Sequence, residues 1–241
     1  MYYQSRGVVL HTLKYNDNAL IAHVLTEKQG CVSFLVPISH ARRAPVRYTL
    51  FQPLALLDLG WMQHRQDELC KIKFAQVVRP LVSIPFEPHK AAMAMFLAEF
   101  LRYALRAEPP SPTLFEYIYR SVEWLDASER GFANFHLVLL LQLTRFLGLF
   151  PDVRVAEPDS FFDLQSCVFT KDQPLHSRFL SPADANRLPA VLRMRYETMH
   201  VFKFSGAERN RFLSALNDFY QLHVPNFPEL KSLAVLRDLF G

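Results

Sequence analysis

The sequence predicts an α+β fold, a small closed β-barrel followed by a helical domain. β-branched and aromatic runs crowd the first 80 residues, with no helical spacing among them. From residue 87 apolar residues recur at i, i+3, i+4 and i+7. Pro80, Pro85 and Pro88 mark the change of period, which divides the chain into a domain over 1–80 and a helical domain over 81–241.

The first strand is read at Val8–Leu13, followed by a turn cluster at Asn16-Asp17-Asn18. Leu20–Thr26 and Cys31–Val36 form a hairpin about Gln29-Gly30. Leu54–Leu59 is a fourth strand. Leu69–Val78 is a fifth, and its alternation puts Cys70, Ile72 and Phe74 on one face and Lys71 and Lys73 on the other. Five short strands without an intervening helix predict a closed barrel of the OB type.

Helices follow over Pro88–Ala107, Thr113–Glu129 and Phe132–Leu149, the last apolar on most sides and therefore central. The stretch 152–180 breaks the pattern as a short irregular or β insertion, with strands around Phe161-Phe162-Asp163 and Cys167–Thr170. Ser181-Pro182 opens a helix to Met194. Ser205 with Glu208 fits a capping box opening a helix to His223, and Glu229–Phe240 is the last helix.

The 241 residues are half hydrophobic and 21% charged, enough to bury a core. The seven glycines are far apart, so GxGxxG, GxxxxGK and GxSxG are absent, and with them the flags of dinucleotide folds, P-loop NTPases and α/β-hydrolases. Nine histidines include no HExxH and no pair three or four apart. Asp159 and Asp163 read as turn carboxylates, Cys31 and Cys70 as core thiols and His136 as a core histidine. No catalytic constellation is formed, and neither enzyme activity nor a cofactor is expected. Three cysteines without CxxC spacing fit free thiols in a reducing compartment. No signal core opens the chain, and the longest apolar run, Ala91–Ala98, falls far short of the about 20 residues that span a bilayer. A soluble cytoplasmic protein is expected.

The net charge of +4 is uneven. Residues 1–79 hold ten Lys/Arg against five Asp/Glu, a balance of +5, whereas residues 80–241 carry −1. Much of the excess lies in one loop, Ser39–Tyr48, which contains Arg42, Arg43 and Arg47 and no acid. Guanidinium matches phosphate bidentately, so these arginines, with Lys14, Lys71 and Lys73, are the predicted nucleic-acid-binding residues. Tyr48, Phe51 and Trp61 are nearby and either stack on bases or fill the barrel, core being the preferred reading. Arg102, Arg106 and Arg145 read as solvated surface.

The segments Arg6–Thr12, Tyr15-Asn16-Asp17 and Val24–Glu27 with Gly30, then the arginine loop and Phe51–Leu54, resemble the N-terminus of the RecO family. Arg145–Pro151 resembles that family's leucine-rich helix ending in Leu-Gly and Pro, and Leu230–Leu236 its closing helix. The resemblance implies an OB-fold with a helical domain and no enzyme. It implies a nucleoid-associated mediator of DNA repair and recombination that binds single- and double-stranded DNA and anneals strands. It also implies work with RecR to load RecA onto DNA coated by single-strand-binding protein. The alternative is a helical protein-interaction adaptor whose barrel binds no nucleic acid.

Many members of that family carry four zinc-ligand cysteines after the Leu-Gly-Pro segment, but Asp152–Thr170 holds only Cys167. Packing of Phe161, Phe162, Val168 and Phe169 is expected to replace the metal. Elemental analysis of the purified protein should therefore find no stoichiometric zinc; one zinc per chain would overturn this.

Overall fold

The computed structural model describes residues 1–39, 46–63, 69–152 and 159–240. They form two compact units, Met1–Ala127 with Leu230–Leu233, and Ser128–Glu229 with the residues from Ala234 on.

In the first unit, β1 (Tyr2–Asn16), β2 (Ala19–Thr26), β3 (Gly30–Pro37), β4 (Leu56–Met62) and β5 (Cys70–Arg79) form a closed barrel in the order β1-β2-β3-β5-β4. A short parallel contact, Phe34 with Cys70 and Leu35 with Lys71, joins β3 to β5, while β4 returns antiparallel to β1. This is the OB-fold. Gly30 turns the β2–β3 hairpin at φ +65°, which a side chain rarely adopts. Alternation fills the interior with Val9, Val24, Phe34, Val36, Leu57, Leu59, Trp61 and Ile72.

The expected strands are all present, with three local differences. β1 is more than twice the length of the apolar run that flags it, because its ends still pair with β4 and β2. Leu54 is not in β4 but in a turn at φ +61°, where its N–H donates to the Val9 carbonyl at 2.8 Å. Phe74 does not share the inner face of Cys70 and Ile72. A register shift pairs Ile72 with Trp61 but Phe74 with Gly60, and Ala75 takes the inward place. The Phe74 ring then lies over Gly60, where a Cβ would come within 2.2 Å of it.

β1 also departs from simple alternation, since Val8, Val9 and Leu10 are all buried. Val9 faces inward, whereas Val8 and Leu10 lie outside the interior cluster, where α1 (Pro88–Leu105) packs on β1. Glu87 caps α1 by accepting from the Lys90 N–H at 2.6 Å, with Pro88 at the first turn. α2 (Pro112–Ala127) buries Phe115, Ile118, Tyr119, Val122 and Leu125. The Pro-rich segment at 81–88, where the sequence places the domain boundary, is pinned to α2. The buried Asp126 carboxylate accepts from the amides of Val82, Ser83 and Ile84 at 2.8–3.0 Å. By contacts, α1 and α2 therefore group with the barrel.

In the second unit α3 (Phe135–Phe146) is the buried centre, as its sequence predicts. Tyr220 of α6 (Gly206–His223) donates to the Leu140 carbonyl at 2.9 Å, and Ser205 makes the predicted capping box with Glu208. The expected helix to Met194 is two short ones, α4 (Pro182–Ala185) and α5 (Leu188–Val191). Pro189 lacks an N–H and its ring would clash with the carbonyl four residues back, so one continuous helix cannot form. α7 runs Ser232–Phe240, three residues shorter than expected, because Glu99 accepts from the Lys231 and Ser232 amides and fixes its start.

The insertion holds the two predicted strands, β6 (Phe161–Asp163) and β7 (Val168–Thr170), and a third, β8 (Phe179–Leu180). Phe162 is buried edge-on to Phe169 at 5.0 Å, and Phe161 meets Phe179 at 5.4 Å. Val168 is exposed rather than part of this packing, because it alternates to the solvent side. Cys167 lies 3.5 Å from His223 Nε2, which also meets the Leu164 carbonyl at 2.8 Å. Among the described residues no three His, Cys, Asp or Glu side chains are grouped to hold a metal. This donor set does not fit the zinc site of the resembled family.

Burial alone would raise the Asp126 carboxyl, but the three amides outweigh it and hold the group below its usual value. Its contribution is present above the unfolded carboxylate pKa and is lost as pH falls through the lower folded value. Asp126→Ala leaves those amides without their acceptor and should cost about 3 kcal/mol, read by urea denaturation. A loss below about 1 kcal/mol would contradict the anchoring role.

Candidate nucleic-acid interface

Barrel geometry sorts the candidate cations. Lys71 and Lys73 are exposed on β5, flanking the inward Ile72, and neither has a carboxylate partner among the described residues. Lys14 is exposed near the end of the β1–β2 hairpin, where its ammonium meets Asp17 at 2.6 Å. Arg47 is exposed just before a single 3₁₀ turn at Tyr48–Leu50. Arg42 and Arg43 lie outside the described residues.

Register relates these positions. Leu13, Ile21, Leu35 and Lys71 form one row across β1, β2, β3 and β5, and Lys14 pairs with Leu20 in the adjacent row. Three strand spacings separate Lys14 from Lys71, about 14 Å along the sheet. The structure thus brings Lys71 and Lys73 together and sets Lys14 apart, with its charge compensated.

Two further cations of the barrel, Arg6 and Arg79, are held by acids. Arg6 of β1 pairs with Glu27 at 3.0 Å and with Glu116 of α2 at 2.8 Å. Its guanidinium lies over the rings of Phe115 and Tyr119 at 5.3 and 4.9 Å. Arg120 joins Glu116 to Glu123, and Glu123 holds Arg79 at 3.2 Å. Glu27, first among its causes, raises the Arg6 pKa further and keeps the group charged.

The aromatic residues beside the arginine loop are core. Trp61 and Phe51 are at most 2% exposed, and Tyr48 packs against the interior cluster, so none offers a platform to a base. Tyr3 stacks on Trp61 at 5.4 Å and Phe34 meets it edge-on at 5.3 Å.

Sequence reasoning missed one constellation. Arg102 and Arg106 of α1, read as solvated surface, line a pocket of about 240 Å³ with Tyr103 and with Leu10, His23, Cys31, Val32 and Ser33 of the barrel. The only sequence signal is an arginine pair four apart, which marks countless solvated helices. Arg145, in contrast, is exposed and lies over the Phe150 ring at 3.5 Å. In the pocket His23 Nδ1 is 2.8 Å from Ser33 Oγ, and the His23 ring stacks on His11. Burial, then Arg102, then His11 push His23 down to about 4; burial and Arg102 also lower His11. Burial, with Glu108, pushes the Cys31 thiol up to about 12, which leaves it inert at neutral pH.

Among the described residues no helix is long and apolar enough to cross a membrane. Removing Arg102 removes the second cause of the His23 shift. In Arg102→Ala the His23 pKa, followed by NMR of its ring protons, should rise but stay below the usual 6.5. In the intact protein the unfolded chain binds the extra proton between pH 6.5 and about 4, so His23 makes the fold less stable as pH falls through that window. An unchanged titration in the variant would separate Arg102 from His23.

Comparison with known proteins places this geometry. The profile for the N-terminal region of recombination protein O matches residues 1–81, and that for its C-terminal region matches residues 85–234. The chain is 45% identical to DNA repair protein RecO of Phocaeicola vulgatus over 98% of both chains. It is 46% identical to that of Bacteroides fragilis over 97% of both, and 33% identical to that of Porphyromonas gingivalis over 98%. A chain that folds as an OB-fold barrel followed by helices, and is matched by both profiles over nearly its whole length, belongs to the RecO family of DNA repair and recombination proteins.

Proposed function

We propose that this protein binds single- and double-stranded DNA on the barrel, anneals complementary strands, and helps RecR load RecA onto DNA coated by single-strand-binding protein. The observation that carries the binding step is the pair Lys71 and Lys73, exposed on β5 without carboxylate partners among the described residues. The arginine-rich stretch 39–48 follows β3, to which β5 is paired. OB-folds commonly bind oligonucleotides on the β2–β3 face and adjoining loops.

Annealing needs no covalent chemistry, and the protein acts as a mediator rather than an enzyme. Two strands repel through their phosphates; a cationic surface that neutralises both lowers that barrier and leaves the bases to pair. With Trp61, Phe51 and Tyr48 taken up by the core, the grip is electrostatic and sequence-independent. The steps with RecR, RecA and single-strand-binding protein rest on family membership.

Electrostatic binding has a measurable signature. If Arg42, Arg43, Arg47, Lys71 and Lys73 neutralise about five phosphates, the log–log salt slope for oligo-dT should be near −3.5, at about −0.7 per contact. Arg42→Ala/Arg43→Ala/Arg47→Ala should weaken oligo-dT binding, read by fluorescence anisotropy, with the melting temperature unchanged. Wild-type affinity in that variant would reject the loop as the contact. Absence of oligo-dT binding by the wild-type protein would instead favour a protein-interaction adaptor.

A further inference from the structure

We propose that the pocket between α1 and the outer face of β2 and β3 is a phosphate-ester site, filled by a backbone phosphate of a bound nucleic-acid strand. This rests on the DNA-binding reading and deepens it, adding a contact outside the arginine loop and β5.

The lining is selective in sign. Two arginines, the Ser33 hydroxyl and the His23 imidazole line the pocket, and no carboxylate does. The nearest acids are otherwise disposed: Glu99 is spent on the Lys231 and Ser232 amides, and Glu108 follows the end of α1, near Cys31. Arg102 has no carboxylate partner among the described residues, yet it is half-withdrawn from water. Its guanidinium lies 5.2 Å from the Tyr103 ring centre. Such stacking leaves the in-plane N–H groups free for an oxyanion, which they match two at a time.

The histidines report the field of this group. Both His11 and His23 are held below their ordinary pKa, first by burial and then by Arg102, the largest charge acting on each. Burial disfavours a charge of either sign, and the Arg102 contribution is the part that favours an anion here. His23 Nδ1 shares a hydrogen bond with Ser33 Oγ, and in the tautomer that accepts there neutral His23 keeps Nε2–H as a third donor. The volume of about 240 Å³ equals roughly eight waters at ~30 Å³ each, room for a phosphate and part of its sugar.

Continuity identifies the strand as the source. Ser33 lines the pocket; Leu35, two residues along the same outer face of β3, is the register partner of Lys71. That step is about 7 Å along β3 and about 5 Å across to β5. A strand crossing the barrel can therefore place one phosphate in the pocket and the next ones beside Lys71 and Lys73. An acidic peptide, the other polyanion the charges would admit, has no such need of the β5 lysines.

The test uses the full-length protein, oligo-dT, thymidine 5′-monophosphate and an Asp-rich peptide. Arg102→Ala/Arg106→Ala should lower oligo-dT affinity about tenfold, with the salt slope shallower by about 0.7 for the lost phosphate and the melting temperature unchanged. Should that variant melt early, Arg106→Glu, at an exposed position, should give the same loss. The His23 ring resonances should shift on adding oligo-dT. A shift by oligo-dT alone supports the strand as source; an equal shift by the monophosphate supports the same site with a free nucleotide as source. Unchanged affinity and slope in both variants, with intact wild-type binding, would overturn the pocket and leave the DNA-binding reading standing. Loss of peptide binding with oligo-dT binding retained would overturn it in favour of a protein ligand. If wild type ignored oligo-dT but the monophosphate shifted His23, the DNA-binding reading would fail and the phosphate site would stand. No response to either would overturn both.

Discussion

The middle of β1, Gly7–Leu10, is buried on both of its faces, and the rest of the first unit is arranged around that constraint. A five-stranded barrel has an interior too small to hide every apolar residue of a fifteen-residue strand. Val9 goes inside; Val8 and Leu10 point out and must be covered from outside. α1 packs against β1 and supplies cover there. Docking α1 against the barrel has a second result, since it brings Arg102 and Arg106 over β2 and β3. The same contact that completes the core creates the charged pocket beside it.

Electrostatics in this unit divide the cations by role. α2 presents Glu116, Glu123 and Asp126, and these acids engage Arg6, Arg79 and the amides of the 81–88 segment. Arg6 is enclosed between two carboxylates and two rings, a geometry that suits a planar guanidinium and would not suit an ammonium. Lys71 and Lys73 have no carboxylate partner among the described residues. The basic excess of the first 79 residues is thus in part scaffold and in part, among the described residues, without acidic partners. A bound polyanion would meet only the second part.

The second unit shows a different economy. One cysteine, Cys167, lies in the turn between β6 and β7, and ring packing of Phe162 with Phe169 and of Phe161 with Phe179 supplies cohesion in the β6–β7–β8 sheet. Edge-to-face ring pairs contribute about 0.5–1.5 kcal/mol each beyond the area they bury. Neighbouring anchors are polar: Asn134 donates to the carbonyls of Met199 and Phe202 and accepts from Arg209. Such bonds fix irregular segments that have no ladder of their own.

The sequence by itself determined the strands, the helices and most caps, because alternation, helical spacing and capping chemistry are local properties. Ser205 with Glu208 and the Cys70–Lys73 alternation are legible for that reason, and so are the exposed lysines of β5. Phe74 was not legible, since its face depends on a register shift set by the partner strand. The break at Pro189 was written locally and is overlooked when only the N-cap at Ser181 is weighed. Tertiary structure alone decided which arginines are scaffold. Arg6 meets Glu116, 110 residues away, and Arg102 meets His23 across a helix–barrel contact. Charge counts along a chain carry no information about such distances. A cation's role is fixed by whether folding brings an acid to it, and that is a property of packing rather than of sequence order.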